Sequence, residues 1–227
     1  MFKILLWDLD NTLLDFREAE AYSIKKRFEE YGLGVLDDEA VARYSKINDY
    51  YWQRLETGEM SKEHILEARF ETFFKNEGII FDRIKSFNID YENGLADKIF
   101  YNENGYEIVK SLTGKYKQYA VTNGAYTVQS VRLEKSGFGA LFDGAFISDK
   151  VGFEKPSVEF FNTVLKSIPS CDKSEILIIG DSLTSDMKGG NNAGIKTCWY
   201  NPYENKNTKK VHIDYEIKSL NEIYKII

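Results

Sequence analysis

Residues 2–7, FKILLW, form an almost unbroken apolar run that stops abruptly at Asp8. A strand with one wet face alternates apolar and polar residues, whereas a run apolar on both faces belongs inside a parallel sheet covered by helices. Two carboxylates, Asp8 and Asp10, follow the run, with Asn11 and Thr12 directly after them. The carboxyl ends of such strands are where open α/β sheets bind ligands. Two acids held close together repel, and a divalent cation relieves that repulsion. Asp, Asn and Thr also build ordinary turns, so this segment alone leaves a simple turn and a cation site equally open.

The rest of the chain alternates two textures. From about residue 16 to 95 no strand signal appears. Apolar residues recur instead at helical spacing: Ala19, Tyr22, Ile24, Phe28 and Tyr31, then Val41, Tyr44, Ile47, Tyr51 and Leu55, then Ile65, Ala68, Phe70, Phe73 and Phe74. Glycines at 32, 34 and 58 break the pattern, and Ser61 stands where a helix N-cap is expected. From about residue 103 strands and helices alternate. Strands are expected at 118–122, 145–147, 175–179 and 197–200, and helices at 127–136, 157–166, 183–193 and 219–227. This order predicts an α/β fold, a doubly wound, Rossmann-like parallel sheet over residues 1–15 and 96–227. An all-helical cap domain, residues 16–95, is inserted after the first strand.

The chain has 227 residues, 43% of them hydrophobic and 15% aromatic, enough for a sizeable core plus an insertion. A net charge of -6 without a concentrated basic face argues against nucleic-acid binding, though a small phosphorylated ligand needs only a few local cations. Cys171 and Cys198 are the only cysteines, too few for a disulfide scaffold. No export signal or membrane-length apolar run is present, which points to the cytoplasm and away from a membrane. A monomer and a homodimer are both compatible with the composition.

Three further strand ends carry polar groups. The strand at 118–122 ends in Thr122-Asn123-Gly124, a hydroxyl, an amide and a glycine that together suit a phosphate, or merely a turn capping the next helix. The strand at 175–179 ends in Gly180-Asp181-Ser182, with Asp186 five residues after Asp181. Those two acids can face one crevice, or simply favour a helix N-terminus. Between them lies Glu154-Lys155-Pro156. A lone lysine there is ordinarily solvated, but a site with four carboxylates and a phosphate needs a cation beside it.

In chain order these ends give Asp-x-Asp-x-Thr, Thr-Asn-Gly, Lys-Pro and Gly-Asp-x(4)-Asp. The set resembles the haloacid dehalogenase superfamily of phosphohydrolases, and the resemblance extends over the whole chain, including a helical cap placed directly after the first motif. It implies a Mg²⁺-dependent phosphatase, and the groups themselves support the same roles. Asp8 is the candidate nucleophile, forming an aspartyl-phosphate. Asp10 would protonate the leaving alkoxide and later deprotonate water. Asp8, Asp181 and the Asp10 main-chain carbonyl would hold the metal, with Asp186 either on the ion or behind its ligands. Lys155 would offset the charge around Asp8, and Thr122 with the backbone at Asn123 and Gly124 would hold phosphate oxygens. Dehalogenases of the superfamily lack the second acid and the metal, so Asp10 favours phosphate chemistry.

Within the superfamily, the run from Asp8 to Phe16 resembles the house-cleaning pyrimidine 5′-nucleotidase branch, as do residues 48–52, Gly58, Arg69-Phe70, 131–134, 189–194 and 197–199. That resemblance implies a nucleoside monophosphate substrate. A nucleobase needs a flat apolar surface, and Phe16, Tyr50, Tyr51 and Trp52 are candidates, with Phe16 and Trp52 foremost, although aromatics at helical spacing are usually core. Sugar-phosphate or phosphoglycolate phosphatase and phosphoglucomutase-like phosphotransferase activities use the same core and remain open, as does a non-catalytic binding role.

Overall fold

The structure is a computed structural model that describes residues 1–227. In chain order its elements are β1 (Ile4–Trp7), α1 (Phe16–Glu30), α2 (Asp38–Glu56), α3 (Lys62–Asn76), α4 (Ile84–Gly94), α5 (Gly105–Leu112) and β2 (Lys117–Thr122). There follow α6 (Tyr126–Lys135), β3 (Gly144–Ile147), the single turn α7 (Ser148–Val151), α8 (Val158–Ser167), β4 (Ile176–Gly180), α9 (Lys188–Ala193), β5 (Lys196–Tyr200) and β6 (Tyr215–Ile217). The chain divides into two compact units, Met1–Asp15 with Ile99–Ile227, and Phe16–Lys98.

The first unit is a six-stranded sheet in the order β3-β2-β1-β4-β5-β6, and every pairing is parallel. All four residues of β1 are buried, as expected for a central strand covered on both faces. Alternate side chains feed two separate cores. Leu5 and Trp7 join Ile108, Val109 and Leu112 of α5 and Leu133 of α6 on one face. Ile4 and Leu6 join Phe160, Phe161 and Val164 of α8 on the other. The chain adds β2 and β3 on one side of β1 and then returns to add β4 on the other. The order therefore reverses between β1 and β4, and a crevice opens beyond their carboxyl ends at such a reversal.

The second unit is four helices around an aromatic core. Tyr44 and Phe70 stack at 5.0 Å with planes 14° apart, and Phe28, Phe73, Phe74, Phe87 and Tyr91 pack around them. Ser61 caps α3 by accepting from the His64 N–H. One buried polar chain crosses this core: Glu20 accepts from Asn48 Nδ2 at 2.8 Å, and Asn48 Oδ1 accepts from Arg69 at 2.9 Å. Arg69 also donates to Asn88 at 2.8 Å and pairs with Glu92.

Several elements depart from the sequence expectation. The segment expected as one helix over 183–193 opens with a wide turn, Leu183–Met187, in which the Ser182 carbonyl accepts from Met187 N, five residues on, at 3.1 Å. Regular α9 begins only at Lys188, and it ends at Gly194, whose φ of 72° is the left-handed cap expected there. The terminal segment is 3₁₀, Leu220–Lys225, rather than an α-helix. Helix α5 and strand β6 were not foreseen at all. No helix is long and apolar enough to cross a membrane, and both cysteines are free.

Candidate active site

Asp8 is the first residue past β1, and its N–H continues the ladder by donating to the Ile179 carbonyl at 2.9 Å. The chain then turns sharply. The Leu9 carbonyl accepts from the N–H groups of Leu13 at 3.0 Å and Leu14 at 2.8 Å, and Asn11 takes a φ of 60°, a left-handed conformation that asparagine tolerates. This turn brings the buried Thr12 hydroxyl back to donate to Asp8 Oδ2 at 3.0 Å, while Thr12 Oγ1 itself accepts from Asp181 N at 3.1 Å. One hydroxyl thus ties the end of β1 to the end of β4.

Lys155 is 1% exposed. Its Nζ donates to Asp8 Oδ1 at 2.7 Å, Asp186 Oδ1 at 2.7 Å and the Val121 carbonyl at 2.8 Å, which uses all three hydrogens. Its backbone is pinned by Asn123, whose Oδ1 accepts from Lys155 N at 2.8 Å and whose Nδ2 donates to the Lys155 carbonyl at 2.9 Å. The Asn123 side chain is therefore engaged in holding the lysine, not turned to a ligand. Asp186 Oδ2 accepts from Ser182 N at 3.2 Å. A Cβ on Gly180 would lie 2.2 Å from that same oxygen, so only glycine lets Asp186 press against the end of β4. The Asp181 carbonyl accepts from the Trp199 indole at 2.8 Å.

Oxygens of Asp8, Asp181 and Asp186 all lie within 4.8 Å of one another. The Asp8 carboxyl is pushed up to about 7: burial raises it most, the Lys155 ammonium pulls against that rise, and the carboxylates of Asp186 and Asp10 add to it. Burial disfavours the Lys155 ammonium, but the Asp186 and Asp8 carboxylates outweigh it and hold the lysine charged. Asp10 pairs with Arg132. Four carboxylates facing two cations leave two negative charges over, and the all-oxygen donor set fits a hard divalent ion.

The core positions picked out in the sequence, Asp8, Asp10, Thr122, Asn123, Gly124, Lys155, Asp181 and Asp186, all lie at or after strand ends on one edge of the sheet. Phe16 and Trp52 lie in the helical unit, each half-buried, on α1 and α2. Sequence reasoning gave no role to Thr12, Gln129 or Arg132. Gln129 and Arg132 carried one visible signal: polar residues three apart on a helix whose buried positions should be apolar.

A family model for haloacid dehalogenase-like hydrolases matches residues 5–200, a span that contains every strand-end site position named above. The chain belongs to this family. Several relatives match over nearly their full lengths. It is 36% identical to the pyrimidine 5′-nucleotidase PynA of Streptococcus pneumoniae, covering 98% of this chain and 93% of that one. It is 35% identical to the HAD-hydrolase YfnB of Bacillus subtilis, covering 100% and 95%. It is 26% identical to the pyrimidine 5′-nucleotidase YjjG of Escherichia coli, covering 98% and 96%. A crystal structure of YfnB bound to magnesium superposes with a TM-score of 0.94, covering 99% of this chain and 98% of that one. The parallel sheet with flanking helices is thus the fold of this hydrolase family, and the chain is an enzyme of it.

Proposed function

We propose that the chain is a Mg²⁺-dependent phosphomonoester hydrolase that works through an aspartyl-phosphate on Asp8, with pyrimidine nucleoside 5′-monophosphates as substrates. The observation that carries the chemistry is the buried Lys155 ammonium shared by Asp8 and Asp186, each at 2.7 Å, inside a set of three close carboxylates. Phosphoryl transfer asks mainly for positioning and charge neutralisation, and this cluster is built for both. Asp8 and Asp181, with the Asp10 carbonyl and with Asp186 on or behind them, would hold Mg²⁺, which neutralises phosphate charge and polarises a phosphoryl oxygen.

The residues then divide the work. An Asp8 oxygen attacks phosphorus; the new O–P bond forms as the ester P–O bond breaks, and Asp10 gives its proton to the departing alkoxide. Water attacks the aspartyl-phosphate next, Asp10 takes its proton, and the Asp8–phosphorus bond breaks to release inorganic phosphate. Lys155 stays an ammonium throughout and keeps Asp8 from being crowded by Asp186. Thr122 and the backbone after it receive phosphoryl oxygens.

Two relatives that carry a pyrimidine nucleotidase name match over 98% of this chain each, and so over its helical unit as well as its sheet. The core handles only the phosphoryl group, and the helical unit would act as a cap that chooses what is attached to it. Its half-buried Phe16 and Trp52 are the stacking candidates, each contact worth roughly 1–3 kcal/mol. Tyr50 and Tyr51 have other engagements: the Arg54 guanidinium lies 4.5 Å from the Tyr50 ring, and the Tyr51 hydroxyl bonds Thr72 at 2.8 Å.

The test is phosphate release with Mg²⁺ from UMP, dUMP, dTMP, AMP, phosphoglycolate and glucose phosphates, with Asp8→Asn as control. Preference for pyrimidine monophosphates, lost in Asp8→Asn, is the expected result. Preference for a sugar phosphate or phosphoglycolate would overturn the substrate and keep the mechanism. Full activity in Asp8→Asn would overturn the mechanism.

A further inference from the structure

Helix α6 turns two polar side chains toward the sheet. Gln129 is 1% exposed and Arg132 2%, between Val128 and Leu133, which are buried too. Their contacts converge on two residues of the proposed reaction. Arg132 Nη1 donates to Asp10 Oδ1, and to Gln129 Oε1 at 3.0 Å. Gln129 Nε2 donates to Asp10 Oδ2 at 2.7 Å and to Thr122 Oγ1 at 2.7 Å.

The direction of every hydrogen bond in this group follows from its donors. A guanidinium has no acceptor, so the Gln129 atom facing Arg132 is its oxygen, and its nitrogen faces Asp10 and Thr122. Both hydrogens of that nitrogen are then used. Thr122 Oγ1 also accepts from Gly124 N at 3.2 Å. With two donors pointing at it, the hydroxyl has both lone pairs taken and only its own hydrogen left to give. Gly124 belongs to the same device: a Cβ there would lie 2.6 Å from Gln129 Cγ and Nε2 and push the amide away.

We propose that Gln129 and Arg132 are positioning residues for phosphoryl transfer: together they hold the Asp10 carboxyl in one orientation, and Gln129 makes the Thr122 hydroxyl a dedicated donor to a phosphoryl oxygen. The inference rests on the acid–base role proposed for Asp10. That role needs one carboxyl aimed first at a leaving oxygen and then at a water, and misplacement by about 1 Å costs on the order of 10²-fold in rate. The Asp10 side chain is 26% exposed; the two donors grip it from the protein side and leave an open side for the proton.

The experiment measures kcat/KM, which reports transfer to Asp8 and not the later hydrolysis, for UMP and for 4-nitrophenyl phosphate. The nucleoside alkoxide needs a proton to leave, whereas nitrophenolate does not. Asp10→Asn should lower the UMP value by about 10²–10⁴-fold, with a much smaller effect on the aryl ester. Gln129→Ala should lower both, through Thr122, and shift the UMP-to-aryl ratio about 10-fold in the same direction as Asp10→Asn. Arg132→Lys, which keeps the charge but not the planar guanidinium, should shift it in that direction by less. Gln129→Glu, nearly the same shape with an acceptor in place of the donor, serves if Gln129→Ala does not fold. A wild-type ratio in every folded Gln129 and Arg132 variant, beside a shifted ratio in Asp10→Asn, would overturn the inference and leave the proposed function standing. An unshifted ratio in Asp10→Asn would overturn the role of Asp10, and the inference with it.

Discussion

Replacing Lys155 with methionine keeps most of the side-chain volume and removes one charge from the centre of the site. The ammonium lies 2.7 Å from an oxygen of Asp8 and 2.7 Å from one of Asp186. At an effective dielectric of about 20, each contact is worth roughly 6 kcal/mol of gross Coulomb attraction. Much of that is cancelled in the native protein by the cost of taking the ammonium out of water, but the variant recovers only the lysine's share. It keeps two buried carboxylates without their counter-ion and a Val121 carbonyl without its donor. Removing one partner of a buried pair costs about 3–5 kcal/mol. For a chain of this length that lowers Tm by roughly 6–20 °C.

The pH dependence of the loss follows from Asp8, whose folded-state pKa is already raised to about 7, chiefly by burial. Without the ammonium it rises further. A raised folded-state pKa contributes stability that is complete below the unfolded pKa and lost as pH climbs through the folded one. Below about pH 7 both proteins carry a protonated Asp8, and the deficit is the smaller part. Above it the wild type has finished losing stability on this account while the variant goes on losing it. Urea unfolding at pH 6 and pH 8.5 should therefore show the larger deficit at pH 8.5, and Mg²⁺ should recover more stability in the variant than in the wild type. A deficit under about 1 kcal/mol at pH 8.5, or one that grows on acidification, would refute the charge argument.

Gly180→Ala places a methyl 2.2 Å from Asp186 Oδ2; activity should fall at least about 100-fold, with a stability loss of about 1–3 kcal/mol, as read by phosphate release and urea unfolding. Mg²⁺ at a hundred times its Kd should stabilise the wild type by about 2.7 kcal/mol, and Asp181→Asn should lose most of that gain in thermal melts with and without the ion. Asp214 accepts from Thr197 N at 3.0 Å and Lys196 Nζ at 2.6 Å at the start of β5. Burial tends to raise its carboxyl, but Lys196 and the Thr197 donors hold it below its ordinary value. A lowered folded-state pKa contributes stability above the unfolded value of about 3.9 that is lost as pH falls through the folded one. Asp214→Asn should therefore destabilise by less than about 1 kcal/mol at pH 7, with the difference from wild type closing below pH 4 in urea melts.

The parts of the site that could be read from the sequence share one physical property: topology alone brings them together. In a parallel sheet every carboxyl end lies on the same edge, so acids after β1 and β4 meet whatever their side chains touch on the way. That made Asp8, Asp181 and Asp186 legible, and Lys155 by the need for a cation among them. The strands themselves were legible where both faces are buried, as in β1 and β4. β6 has three residues, two of them exposed, and so has no pattern to detect. α5 has eight residues, little more than two turns, too short a window for a helical period to stand out. The wide turn at Leu183–Met187 is invisible to a period of 3.6, yet it carries Asp186 between Ser182 N and Lys155. The roles of Gln129, Arg132 and Thr12 were hidden for a different reason. What a helix or loop side chain does depends on its rotation about the element and on the partner it meets, which is pairwise information that spacing does not hold. Polar residues at buried helix positions mark the place where such a partner must exist, because an unpaired buried guanidinium is too costly to keep. Arg132 on α6 and Arg69 on α3, both almost fully buried, each lead to a carboxylate, Asp10 and Glu92. Only one of those carboxylates lies at a strand end, and that position is what separates a pair proposed to serve the reaction from a pair that joins helices.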